Sequence, residues 1–94
     1  MYNEIYFTEK ELRPLFDRAN SFYKKAFVSK MNDSSLILRS YSTHVASISG
    51  EKAKVFGTYS ATTLRHIKEF LKQNGFKAES KKQIVKDYLV SYAE

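Results

Sequence analysis

The sequence has no cysteine. Disulfides, thiolate zinc sites and thiol nucleophiles are therefore excluded together, and a cysteine-free chain fits a reducing compartment. Tryptophan is absent, proline occurs once and glycine three times. So few glycines leave little for a phosphate-cradling loop, and no Walker loop, dinucleotide glycine fingerprint or H-E-x-x-H is found. No apolar run approaches the ~20 residues that cross a bilayer. The start, Met1-Tyr2-Asn3-Glu4, has neither a basic n-region nor an apolar h-region, so no secretory leader is expected. These absences predict a cytoplasmic, non-enzymatic protein without cofactor or bound metal.

What is present is aromatic and basic. Seven Phe and seven Tyr enlarge the core that 94 residues can build, and the length fits one domain, 1–94. The net charge of +6 is spread along the chain, with +1 over residues 1–34, +2 over 35–60 and +3 over 61–94. Such an excess is either a solvated lysine-rich surface or a footprint for an anionic partner.

Residues 8–26 read as a helix. Thr8 and Glu11 make a T-x-x-E capping box, and Phe16, Ala19, Phe22, Tyr23 and Ala26 recur at helical spacing. Pro14 should kink or restart it. Residues 26–31 read as a short strand and Asn32-Asp33-Ser34 as a turn. Residues 35–49 read as one bent strand or two strands joined near Ser42-Thr43. Gly50-Glu51-Lys52 reads as a hairpin turn, and residues 53–59 as the return strand, with Gly57 a bulge or close-contact point.

The clearest element is a helix over residues 61–74. Ser60 can cap it, Leu64, Ile67, Phe70 and Leu71 give the inner stripe, and Gly75 with Phe76 closes it in a Schellman motif. Arg65, His66, Lys68, Glu69, Lys72 and Gln73 are assigned to its outer face, with Arg65–Glu69 as an attractive i,i+4 pair. A last helix starts at the Ser80/Gln83 capping box and carries Ile84, Val85, Tyr88, Leu89 and Tyr92 inward. The fold class is therefore α+β. It should hold a small antiparallel sheet of about three to four strands, with an N-terminal helix and two C-terminal helices packed on one face.

Three chemistries remain open. A metal site would need His44 and His66 to meet beside carboxylates such as Glu51, Glu69 or Asp87; a strand histidine and a helix histidine with separate roles is the simpler reading. A helix-turn-helix would use residues 62–74 and 80–93, with Lys81, Lys82, Gln83 and Lys86 at DNA and Arg65, Lys68 and Lys72 on phosphates. Tyr41 and Tyr59 could stack bases on the sheet.

Leu38, Ser40, Tyr41, Thr43, Val45 and Ala46 fit L-x-S-Y-x-T-x-V-A. Tyr59, Ser60, Thr62, Thr63, Arg65, His66, Ile67, Glu69, Phe70, Gln73, Asn74 and Gly75 fit Y-S-x-T-T-x-R-H-I-x-E-F-x-x-Q-N-G. In these stretches, about residues 36–76, the chain resembles a family of small proteins carried by phages, plasmids and integrative elements of Gram-positive bacteria. Arg65, His66, Glu69, Gln73 and Asn74 match its polar positions, as a shared surface or as capping and pairing within the fold. The resemblance implies a mobile-element accessory protein. In that setting such proteins include inhibitors of host defence, among them anti-CRISPR proteins acting on a type II (Cas9) effector, and small DNA-binding regulators. The implied partner is a defence protein or ribonucleoprotein, with contact to DNA or RNA open.

Overall fold

The computed structural model describes residues 7–90, the backbone alone for Phe7. Five strands, β1 (Phe7–Glu11), β2 (Ala26–Met31), β3 (Leu36–Ser40), β4 (Thr43–Ser49) and β5 (Lys52–Val55), pair as an antiparallel meander in chain order. Two helices follow, α1 (Ala61–Gln73) and α2 (Lys81–Tyr88).

This corrects the expected architecture at its N-terminal end. No helix covers residues 8–26. Thr8 and Glu11 lie in β1, which pairs with β2 in the register Lys10↔Val28, and residues 12–25 cross to β2 without regular structure. The helical spacing there was misleading: Phe22 and Ala26 are buried, but Phe16 and Tyr23 are exposed. Pro14 has no N–H to give a helix, and the N–H groups of Leu15, Phe16 and Asp17 bond elsewhere. The sheet accordingly has five strands and not three or four.

Residues 35–49 form two strands joined at Tyr41-Ser42, with Ser40 opposite Thr43. Between Leu38↔Ala46 and Arg39↔His44 the register shifts, leaving Val45 as an extra residue on β4. Such a bulge lets consecutive residues point the same way, and Val45 and Ala46 are both buried. Gly50, at φ +61°, turns β4 into β5. β5 ends at Val55, short of the expected 59. A side chain on Gly57 would meet the Tyr59 hydroxyl at 3.1 Å, so Gly57 is a close-contact point against that ring.

One face of the sheet presents Ala26, Leu38, Ala46, Ile48 and Val55 to the helices, and Ile67, Phe70, Leu71 and Ile84 close over them. α1 is capped by Ser60 Oγ, which accepts from Thr63 N–H at 3.3 Å. It ends as a Schellman motif: Phe76 N–H donates to Leu71 C=O at 2.9 Å and Gly75 N–H to Lys72 C=O at 3.1 Å, with Gly75 at φ +84°. Ser60 and Gly75 therefore act as the sequence predicts. α2 is capped by Ser80, packs on β5, and is followed by a parallel bridge from Leu89 to Val55. Tyr92, assigned to its inner face, lies outside the described residues. The other face of the sheet carries Phe27, Ile37, Arg39 and His44, with the Arg39 guanidinium 4.5 Å from the Phe27 ring centre and paired with Glu9.

Candidate interaction surface

On α1, the polar stripe Arg65, Glu69, Gln73 has i,i+4 spacing, so its side chains fall in one row. Each holds a piece of the segment that precedes β2. Arg65 Nε donates to Asp17 Oδ2 at 3.0 Å. Glu69 accepts from the backbone N–H of Leu15 at 2.6 Å, of Phe16 at 3.0 Å and of Asp17 at 2.9 Å. Gln73 Nε2 donates to Arg13 C=O and to Glu69 Oε2, both at 2.6 Å. The row clamps residues 13–17 against the helix. The guanidinium beside Asp17 holds its carboxyl at about 2, below the ordinary 3.8.

Glu69 is 1% exposed and His66 2% exposed. Their placement on a solvated outer face, and the Arg65–Glu69 pair, are thus corrected: burying a carboxylate is tolerated because its oxygens are filled by N–H donors. Leu64, assigned to the inner stripe, is only partly buried, and Thr63, His66 and Glu69 are buried instead. Asn74 Nδ2 donates to Phe70 C=O at 2.8 Å. Arg65, His66, Glu69, Gln73 and Asn74 therefore all have partners within the fold. Lys68 and Lys72 instead line an open groove of about 360 Å³ with Phe16, Asp17, Arg18, Arg65 and Glu69.

Clamping leaves two apolar side chains outside. Leu15 is 74% exposed and Phe16 59% exposed. Their backbone is fixed from below, while Arg13 and Arg18 beside them are exposed.

Beyond Arg65 lies a second cavity, about 230 Å³, lined by Tyr23, Lys25, Tyr41, Thr62, Arg65 and His66 among others. Ser40 Oγ lies 2.8 Å from His66 Nδ1 and 3.0 Å from Thr63 Oγ1. The imidazole packs on Phe22 with centroids 4.7 Å apart. Burial pushes its pKa below the ordinary 6.5, and Arg65 and Lys25 push the same way against Asp17. A nucleophilic serine needs an open oxygen and a base turned toward it; Ser40 is 2% exposed and fixes the ring between β3 and α1.

His44 is exposed on the far face of the sheet, so the two histidines do not meet. Among the described residues no group of three or more His, Cys, Asp or Glu is placed to hold a metal. Lys81, Lys82 and Lys86 are exposed on α2, and Lys82 and Lys86 line a groove of about 380 Å³ with Lys77, Gln83 and Asp87, to which no residue of the clamped segment contributes. Tyr59 is half-buried against the core.

A family model described as Family of unknown function (DUF8033) matches residues 10–86. The chain belongs to that family. The match takes in the clamped segment as well as the helix that clamps it. No curated protein and no solved structure matches the chain. In this DUF8033 member the sequence points to Arg65, Glu69 and Gln73 as polar positions but not to residues 13–17, the segment their row holds.

Proposed function

We propose that this is a non-enzymatic binding protein that docks on a macromolecular partner through the segment clamped by Glu69. The observation that carries the reading is the pair Leu15 and Phe16, 74% and 59% exposed on a backbone fixed by three hydrogen bonds to one buried carboxylate. Exposed apolar side chains on a fixed backbone lose little freedom on binding, and pre-organisation of this kind favours affinity. Covering each contributes about 2 kcal/mol. The neighbouring Arg13, Arg18, Lys68 and Lys72 suit a partner surface with acidic groups around an apolar pocket.

The resemblance to mobile-element proteins supplies the setting. The proposed role is inhibition of a host defence complex in the bacterial cytoplasm, with a type II CRISPR effector, Cas9 with its guide RNA, as the partner to test first. Among the described residues no helix is long and apolar enough to cross a membrane. The regulator reading draws less support. α2 is eight residues long and packs on β5, and residues 74–80 separate it from α1, whereas a helix-turn-helix has a turn of about 3–4 residues and a projecting second helix.

The test is co-elution of the purified protein with a guide-loaded effector, followed by inhibition of target cleavage. Co-elution that Leu15→Ser and Phe16→Ser abolish supports the reading. Absence of any complex with effectors of the host's own defence systems removes the proposed role.

A further inference from the structure

Two residues that line the second cavity have left-handed backbone, Tyr23 at φ 55° and Tyr41 at 59°, as does Lys24 at 59° next to Tyr23. Such conformations are costly for residues with a Cβ and cluster where a fold presents a ligand site. Here they set out two tyrosine rings, 73% and 47% exposed, on the lip of the cavity. Lys25 Nζ lies 6.0 Å from the Tyr23 centroid and 5.8 Å from that of Tyr41. At the back is His66, whose Nδ1 is held by Ser40. Its Nε2 has no hydrogen-bond partner among the described residues. No fully buried side-chain nitrogen or oxygen among the described residues lacks a partner, so Nε2 keeps some exposure, and the ring it belongs to lines the cavity.

The chemistry of the rim selects the ligand. Two tyrosines could cage an organic cation, but Lys25 in the same lining repels one. A carboxylate alone would leave both ring faces unused. A nucleotide uses everything present: a flat base for the rings, a phosphate for Lys25, and a polar edge for an imidazole nitrogen. The groove beyond Arg65 carries further positive charge on Arg18, Lys68 and Lys72, while Asp17 is paired with Arg65 and Glu69 with backbone N–H groups. A positive groove ending in aromatic rings is how single strands are bound without strict sequence preference.

We propose that the Tyr23–Tyr41 cleft seats one unstacked base of a single-stranded nucleic acid, with Lys25 on the adjoining phosphate and His66 Nε2 facing the base edge. The inference rests on the binding-protein reading and deepens it, since it names the RNA of a ribonucleoprotein partner as part of what is contacted.

Fluorescence anisotropy with a labelled oligouridylate, an oligodeoxythymidylate and a duplex of equal length tests it at low and moderate salt. Both single strands should bind, more weakly as salt rises, and the duplex should bind less well. Tyr23→Ala and Tyr41→Ala should each weaken the single strands about tenfold. No binding of either single strand at low salt overturns the proposal. So does duplex binding of equal strength, or binding that survives both tyrosine substitutions and is lost on Lys68→Ala/Lys72→Ala. Because Tyr41 also forms a turn, the wild-type protein supplies a second readout: the His66 imidazole resonances should shift on adding oligouridylate, and unshifted resonances at saturation count against the seat. Tyrosine variants that lose oligonucleotide binding but still co-elute with the effector would support the seat as a contact separate from that of Leu15 and Phe16.

Discussion

Glu69 Oε2 accepts a hydrogen bond from the backbone N–H of Leu15 at 2.6 Å, across 54 positions of sequence. The same carboxylate takes the N–H groups of Phe16 and Asp17. One buried side chain thereby gives a strand-to-strand crossover the fixed shape that a helix would otherwise have provided.

Replacing that carboxylate should loosen the crossover. Glu69→Ala leaves three partly buried N–H groups without an acceptor, and we expect a loss of about 3 kcal/mol in urea unfolding, with early proteolysis between Arg13 and Arg18. Glu69→Gln, which keeps one acceptor oxygen, should lose less. Equal stability of Glu69→Ala and wild type would mean the clamp is not structural.

Leu15→Ser and Phe16→Ser should behave in the opposite way. Both side chains are largely in water, so unfolding midpoints should stay within about 0.5 kcal/mol of wild type. A large destabilisation would show that these residues are packed in solution.

Acid should weaken the fold in two separate steps. Burial depresses the His66 pKa below 6.5, so the unfolded chain takes up a proton before the folded one does. Stability is then full above about pH 6.5 and falls as pH drops toward the folded-state value. His66→Gln should flatten that part of the curve. Asp17, at about 2 in place of 3.8, adds stability that is full above 3.8 and is lost as pH falls through about 2. With Arg65 half exposed, this second step is worth only about 1 kcal/mol. Unfolding free energy measured from pH 8 down to about 1.5 checks both signs.

Gly75→Ala should cost about 1 kcal/mol. An added Cβ would meet nothing within 4 Å, so the penalty comes from the left-handed φ of +84° alone. Thermal melts read it directly, and no loss would contradict the Schellman closure.

The sequence made the C-terminal half legible because its signals are local. Ser60, the apolar spacing of Ile67, Phe70 and Leu71, and the Asn74-Gly75-Phe76 stop all act within a few residues. Asn32-Asp33-Ser34 and Gly50 likewise mark their own turns. The N-terminal third failed because its structure depends on distant partners. β1 exists through pairing with β2, and residues 13–17 take their shape from a helix more than fifty positions away. Thr8, Glu11 and the Phe16–Ala19–Phe22–Tyr23 spacing imitated a helix that Pro14 and those contacts forbid. His66 and Glu69 look like solvent-facing residues on charge alone; only Ser40 and the Leu15 backbone explain why they are inside.

The most direct measurement is a titration of a guide-loaded type II effector with wild-type protein and with the Leu15→Ser/Phe16→Ser double variant, read by target cleavage and by calorimetry. Contact through the clamped segment predicts saturable binding and inhibition by the wild type, and affinity at least tenfold weaker for an equally stable double variant. Wild-type binding unaffected by the double substitution, or no binding at all, would contradict it.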